Sequence, residues 1–154
     1  MAYFYIKLIH IIFVIIFLGN ITIGLFWKII AEKTKDLDKI AFAFKGIIKA
    51  DRYFTMPGVI GITLFGVGLA LHAKMPILGT GWILWSIILF IIPGIAFMAK
   101  LVPLQKKLAA FASDKDKFNW EEYHKLSKQW DIWGYIALNL NGYKTKYLVL
   151  NYSN

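Results

Sequence analysis

Two histidines lie at positions where an imidazole could bind a cofactor within a membrane. His10 falls inside the first apolar run of the chain and His72 ends the second. Imidazole nitrogen is an axial ligand of haem iron, and Gly61 and Gly68 leave room beside the second run. The pair therefore predicts a haem b site held by His10 and His72. The alternative is structural, with a buried His10 hydrogen-bonded to a neighbouring helix and an interfacial His72 beside lipid headgroups.

Other catalytic chemistry has little support in the residue types present. All nine carboxylates lie in or beside the polar segments that separate the apolar runs, away from both histidines. Zinc prefers three or four protein ligands, and the chain has no cysteine to supply thiolates. Ser86 lacks the glycine-flanked turn of a serine hydrolase. The sequence therefore gives no catalytic group and no metal site, and leaves open whether the protein is an enzyme.

Four polar residues are expected to orient the helices. Asp51 and Arg52 stand at the mouth of the second run and Asp131 near the start of the last, so an ion pair among them is one prediction. The alternative is a solvated surface pair, worth at most about 1 kcal/mol. Asn20, near the middle of the first run, is predicted to hydrogen-bond to another helix, as amides in membrane helices do.

The composition places the chain in a lipid bilayer. Of its 154 residues, 58% are hydrophobic and 17% are aromatic, which is too apolar for a soluble domain of this length. The net charge of +9 could indicate nucleic-acid binding. The basic residues, however, lie between the apolar runs instead of gathering with stacking aromatics on one face. We therefore expect lipid contact and no nucleic-acid partner.

The apolar runs predict an all-α fold, an integral membrane helical bundle. Three runs are long enough to cross, and they lie at about 3–27, 53–73 and 82–100. The first run exceeds the hydrophobic region of a secretory signal, so we expect it to remain as a span. Pro93 and Gly94 predict a kink in the third run.

The end of the chain is expected to differ from a full span. The apolar run at about 130–140 is too short to cross, so it predicts a partial or altered fourth span. We expect one bundle domain over 1–138 and an irregular tail over 141–154. In the polar segment 28–50, apolar residues recur at a helical period, which predicts an amphipathic helix at the membrane surface.

Stripes of small residues and rings predict the packing faces of the first two spans. The second span has a stripe at spacings of three and four, formed by Gly58, Gly61, Phe65, Gly68 and His72. The first span has a similar stripe, formed by His10, Phe13, Phe17, Asn20, Gly24 and Trp27. Missing side chains let helices approach closely in a membrane. Pro57 falls in the opening turns of its helix, where proline is tolerated.

The basic residues predict the orientation of the spans. Seven lysines and arginines fall between positions 28 and 52 and seven between 100 and 128, whereas the N-terminal segment and the connector near 74 carry one each. Lysine and arginine accumulate in cytoplasmic loops. We therefore expect a multi-pass protein of the inner membrane, with its N-terminus outside and both long loops cytoplasmic.

Several groups of residues, in this order, are similar to those of a known family. They are His10 followed by Gly19, then Asp51 with Phe54, Thr55, Pro57, Gly58 and Val59, then a run led by Trp82, and last Tyr123, Leu126 and Trp130 ahead of Gly134. Over about residues 3–138 the chain resembles the predicted bacterial integral membrane proteins called domain of unknown function 2269. That family usually ends in a long apolar span, and this chain departs from it from Ala137 onward.

A second likeness is local. The stretch from His10 to Val14 looks like the start of the small four-helix protoporphyrinogen oxidases, which bind haem through a first-span histidine. Those enzymes carry a lysine in the third span, and this sequence has none between Trp82 and Met98, so the resemblance implies a haem ligand at His10 but no oxidase activity. Two hypotheses follow: a structural or partner-binding bundle, as a homo-oligomer or with a membrane partner, or a small haem-binding redox protein.

Overall fold

The structure is a computed structural model that describes residues 1–77 and 79–137, without the side chains of Leu89, Pro93, Ile136 and Ala137. Within these residues every regular element is helical, which confirms the predicted all-α class. The elements are α1 (Ala2–Lys33), α2 (Leu37–Ala50), a first π-turn (Asp51–Thr55), α3 (Met56–His72), α4 (Gly81–Ala96), a second π-turn (Phe97–Leu101), α5 (Val102–Ser113) and α6 (Trp120–Ala137).

Three continuous helices are long and apolar enough to cross a membrane, as predicted. The first is α1, the second runs through α2 and α3 over Leu37–His72, and the third runs through α4 and α5 over Gly81–Ser113. Each is longer than the roughly 20 residues that a bilayer requires. Each helix therefore extends beyond the bilayer core by several turns.

The predicted partial span at 130–140 coincides with the end of α6, which is not one of the three long apolar helices. The rest of that run and the predicted tail at 141–154 lie outside the described residues.

Exposed aromatic side chains occur at two levels of the spans. One group lies near the start of α1 and of α4 and consists of Tyr3, Tyr5, Trp82 and Trp85; the other consists of Phe26, Trp27, Tyr53 and Phe54. Aromatic rings favour the two boundaries between lipid and water. The rise along α1 from Tyr5 to Phe26 is about 31 Å, close to the thickness of a bilayer core.

The first two spans pack closely because glycines of α3 face rings of α1. A Cβ built on Gly58 would lie 3.1 Å from the Cβ of Phe17, and one built on Gly61 would overlap the ring of Phe13. Phe13 also stacks on Phe65, with ring centroids 5.6 Å apart. Glycine at these positions therefore fixes how near the two helices come.

The buried core lies at one end of the molecule, in an assembly that we call the head: α2, α5, α6 and the last turns of α1. Ile40, Phe44, Leu108 and Tyr123 are at most 1% exposed there. The rest of the apolar core is Ala31, Ala41, Ala43, Ile47, Leu101, Leu104, Ala109, Ala112 and Trp130. Burial of this many apolar side chains against one another is what stabilises the head.

The amphipathic helix predicted in 28–50 is α2, over Leu37–Ala50, but its apolar stripe contacts protein instead of a membrane surface. Ile40, Phe44 and Ile47 of α2 lie in the head core with residues of α5. Asp36 starts the helix by accepting hydrogen bonds from the backbone N–H groups of Asp38 and Lys39. The sequence pattern alone does not distinguish burial against lipid from burial against another helix.

Two π-turns connect the spans to the head. Each is followed within the next two positions by a proline, Pro57 at the start of α3 and Pro103 at the start of α5. Proline has no N–H, so a backbone carbonyl one turn earlier loses its helical partner and a wider turn is tolerated there. The third span is irregular at Phe97–Leu101, whereas α4 remains helical through Pro93, where the kink was expected.

Candidate functional site

The carboxylate of Asp51 joins three parts of the molecule. The Asn20 side-chain amide of α1 and the Thr55 hydroxyl donate to Oδ1 of Asp51, at 3.1 and 2.7 Å. The Gln105 amide of α5 donates to Oδ2 at 2.9 Å. Asp51, Thr55 and Gln105 are all buried. A carboxylate buried among apolar residues needs such donors, so this set holds α1, the first π-turn and α5 in one arrangement.

The first π-turn presents this site. Asp51 begins the turn and Thr55 ends it, and residues four apart on a helix lie on the same face. Asn20 also donates to the Thr55 hydroxyl oxygen at 2.8 Å, so the amide contacts both ends of the turn. Side chains from two other helices, Asn20 of α1 and Gln105 of α5, thus hydrogen-bond to the polar groups of the turn.

A second buried cluster surrounds Lys28. Its ammonium lies 2.9 Å from a carboxylate oxygen of Glu32, one turn later in α1, and 2.9 Å from one of Asp131 in α6. It also lies over the ring of Trp130, 5.4 Å from the centroid. Lys28 is only 2% exposed. A buried ammonium costs several kcal/mol unless it is paired, and here two carboxylates and a ring face supply the pairing.

Glu32 extends this cluster into the head. The hydroxyls of Tyr123 and Ser127 both donate to its other oxygen, each at 2.7 Å. Glu32 therefore links α1 to α6 through two hydrogen bonds. With Lys28 and Asp131 it forms a group of two carboxylates and one ammonium, which carries one net negative charge when all three are ionised.

A small cavity separates the two clusters. Its volume is about 50 Å³, and its lining includes Asn20, Asp51 and Gln105 on one side and Trp130 and Asp131 on the other. A single water molecule needs about 10–15 Å³ of such volume, so the cavity has room for a few water molecules. Among the described residues, the indole N–H of Trp130 is buried without a hydrogen-bond partner, and a water in the cavity would supply an acceptor. The arrangement can therefore hold water between two carboxylates.

The predicted ion pair among Asp51, Arg52 and Asp131 is wrong in its partners. Asp51 is bound by neutral amides and a hydroxyl, and Asp131 is paired with Lys28. Arg52 is exposed and takes part in no ion pair within the described residues. Adjacent residues on a helix face directions about 100° apart, so a buried Asp51 leaves its neighbour outside.

The two histidines lie at different levels of the interface between α1 and α3. His10 faces Gly66, where a built Cβ would lie 3.2 Å from the Cε1 atom of His10. The Nδ1 of His10 is buried, and no described residue hydrogen-bonds to it. His72 stacks on Tyr3, with centroids 5.8 Å apart. Tyr3 precedes His10 by about 10 Å along α1, so the two imidazoles contact α1 and α3 at different levels. Nothing in this geometry favours the haem hypothesis.

The remaining predicted packing residues lie between α1 and α2 or between α1 and α3. Gly24 faces Ile47 of α2, at 3.8 Å from a built Cβ, and Gly68 faces Ile6 at the same distance. Trp27, the end of the predicted α1 stripe, is instead 55% exposed. Gly66, which was not part of the predicted α3 stripe, is the glycine beside His10.

Several residues of the two clusters were missed by reasoning from the sequence. The pairing of Lys28 with Glu32 could have been predicted, since opposite charges four residues apart on a helix interact. The burial of Gln105 and Ser127 could not have been predicted, because each is a polar residue in a polar segment, where a solvent-exposed side chain is expected. Their burial depends on how α5 and α6 are rotated against α1.

Comparison with known proteins gives a family but no characterised relative. A search of curated proteins and a search of solved structures found no match. The sequence model of one family, described as predicted integral membrane protein (DUF2269), matches residues 4–141. This range contains the three spans, the head and both buried clusters. The chain therefore belongs to the DUF2269 family of predicted integral membrane proteins.

Proposed function

We propose that this protein is a structural membrane subunit that carries the head on its three spans and presents it to a partner protein. The observation that carries the proposal is the set of hydrogen bonds that the buried Asp51 carboxylate accepts. Three donors, from Asn20, Thr55 and Gln105, occupy its two oxygens. A carboxylate saturated in this way serves to fix helices in place, which is the role of a scaffold.

The Lys28 cluster supports the same role. Its ammonium is shared by Glu32 of α1 and Asp131 of α6, so it ties the last helix of the head to the first span. Exposed residues of the head, including Lys107 and Lys125, remain for contact with another molecule. The proposal further places the protein in the bacterial inner membrane, with the N-terminus outside and the head in the cytoplasm, on the basis of the lysine and arginine distribution.

The test is site-specific photocrosslinking in native membranes. A photoreactive residue placed at Lys107 of α5 or at Lys125 of α6 is expected to give a discrete adduct with one protein. The matched control is Leu64, which is 65% exposed on the second span and should contact lipid. Asp51→Ala is expected to weaken the adduct at Lys107 while the protein remains in the membrane fraction, because the head loses its fixed orientation.

Two outcomes would count against the proposal. The first is that neither head position yields a protein adduct. The second is that the adduct forms equally from Leu64, which would show contact without a specific surface. An adduct between two copies of the chain would make the partner a second copy.

A further inference from the structure

Asp51 is a buried carboxyl group without a cation beside it. The residue is only 8% exposed, and it forms no ion pair among the described residues. Its three hydrogen-bond partners, Asn20, Thr55 and Gln105, are all neutral. An unpaired carboxylate is costly to remove from water, and a carboxyl group in such surroundings takes up a proton instead.

The helix backbone does not supply the missing positive charge. Asp51 begins the first π-turn, which lies inside the continuous helix Leu37–His72. The partial positive charge of a helix is confined to the first turn at its N-terminus. Asn20 and Gln105 also lie in the interior of their helices, several turns from an N-terminus. No helix start therefore faces the Asp51 carboxyl group.

The ionisable groups closest to the site add negative charge. Asp131 and Tyr135 of α6 line the same small cavity as Asp51. The ammonium of Lys28 is already shared by Asp131 and Glu32, at 2.9 Å from each. Burial raises the pKa of Asp131 despite the charge of Lys28, and the charge of Glu32 acts in the same direction as burial. With Asp51 ionised, three carboxylates would therefore share one ammonium.

The other basic residues of the surrounding helices do not compensate for this charge. Those nearest in sequence to Asp51, Gln105 and Asp131 are exposed, and they are Lys49, Arg52, Lys106, Lys107 and Lys128. The ammonium of Lys100, in the second π-turn, lies over the ring of Trp133, 5.7 Å from the centroid. A proton is therefore the simplest source of positive charge for Asp51.

The hydrogen bonds at Asp51 fit a protonated carboxyl group as well as a carboxylate. Asn20 and Thr55 donate to Oδ1, which is an acceptor in both forms. Oδ2 lies 2.9 Å from the side-chain amide of Gln105. A flipped amide presents its oxygen in place of its nitrogen, so a proton on Oδ2 can be donated to Gln105. Neutralising Asp51 therefore costs none of the three contacts.

We propose that Asp51 binds a proton, which makes the junction between the spans and the head a proton-binding site. Water in the cavity of about 50 Å³ would connect this proton to Asp131, whose side chain is 29% exposed and reaches solvent. The proposal goes beyond the scaffold function and does not depend on it, because the neutral form keeps the same helices together.

The test is infrared spectroscopy of the full-length protein in a detergent without carbonyl groups. The C=O stretch of a protonated carboxyl group lies above the amide I band and shifts in D₂O. We expect such a band in the wild type near neutral pH, and Asp51→Asn should remove it. The matched control is Asp131→Asn, which changes the other carboxyl group on the cavity and should leave the band in place.

The second measurement is the free energy of unfolding as a function of pH. An unfolded chain loses the aspartic acid proton near a pH of about 3.9, so a proton kept in the folded state makes folding less favourable as the pH rises. Above about pH 5, the ratio of folded to unfolded wild type should fall by up to about tenfold per pH unit relative to Asp51→Asn. Asp38→Asn, at an exposed ion pair, should follow the wild type.

Three results would overturn the proposal. A wild-type spectrum without the band would show that Asp51 is ionised, and this result does not depend on whether the variants fold. A band that persists in Asp51→Asn and disappears in Asp131→Asn would place the proton on Asp131. Parallel pH curves for the wild type and Asp51→Asn would show that no proton is bound at Asp51. None of these results bears on crosslinking from the head, so the two proposals fail separately.

Discussion

A buried carboxylate that accepts three hydrogen bonds from neutral groups leaves those donors unpaired when it is removed. Asp51→Ala is therefore expected to lower the free energy of unfolding by roughly 2–4 kcal/mol, because the amide of Gln105 and the hydroxyl of Thr55 remain buried. Asp51→Asn should cost less. Its side-chain oxygen can still accept from Thr55, and a flipped Gln105 amide can accept from its new N–H group. Denaturant titration in detergent, followed by circular dichroism, measures both.

The control for this prediction is Asp38→Ala. Asp38 forms an exposed ion pair with Lys115, and such pairs contribute at most about 1 kcal/mol. If Asp51→Ala were no more destabilising than Asp38→Ala, the hydrogen bonds at Asp51 would not hold the head on the spans.

Among the helices, the interface between α1 and α3 depends on one glycine above the others. Gly61→Ala is expected to destabilise the protein by about 1–3 kcal/mol, because its Cβ would overlap the ring of Phe13 and force the helices apart. Gly68→Ala should have little effect, since its Cβ would only reach ordinary contact with Ile6 at 3.8 Å. Thermal unfolding of the two variants in the same detergent gives the comparison.

Replacing Phe13 by a smaller residue provides the internal check. Phe13→Ala in the Gly61→Ala background removes the overlap, so the double variant should be more stable than the two single effects predict when added. Additive effects would mean that the two side chains do not compete for one space.

The start of α2 gives a prediction about pH. The backbone N–H of Lys39, together with that of Asp38 and the nearby Lys39 charge, lowers the pKa of Asp36 below its usual 3.8. A carboxyl with a lowered pKa in the folded state adds stability above its unfolded pKa, and that stability disappears as the pH falls through the folded pKa. Thermal stability should therefore fall more steeply below pH 3.8 in the wild type than in Asp36→Asn.

Asparagine is the informative replacement at this position because it also caps helices and does not titrate. Near pH 7 the two proteins should differ little. Identical curves down to the acid limit would mean that the Asp36 carboxylate does not stabilise α2.

At the scale of the whole molecule, we predict that the N-terminus lies outside and the head lies in the cytoplasm. The chain has no cysteine, so a single introduced cysteine can report on its own side of the membrane. Lys115→Cys, in the turn between α5 and α6, should react with an impermeant maleimide only after the membrane is opened. Met75→Cys, in the connector after α3, should react in intact cells.

The reverse labelling pattern would place the head outside the cell and contradict the orientation expected from the lysines and arginines. Both reporter positions are exposed, so neither reading depends on local unfolding. Labelling of both in intact cells would show a leaky preparation, which a control on a cytoplasmic protein identifies.

The sequence by itself determined the class and the spans of this protein. Long apolar runs must form helices in lipid, because only helices and closed barrels satisfy all backbone hydrogen bonds there. The family likeness was also visible in short local motifs, such as Asp51 with Pro57 and Gly58. These features depend on neighbouring residues, so a reading of the chain in order is enough to find them.

Only the tertiary structure decided which polar groups meet. Asn20 and Asp51 lie 31 positions apart, and Lys28 and Asp131 lie 103 apart. Whether such residues touch depends on the rotation and register of whole helices, which the π-turns change by one residue. For the same reason the sequence left open whether Asp51 and Arg52 form an ion pair or a solvated surface pair, whereas the folded protein buries the first and exposes the second.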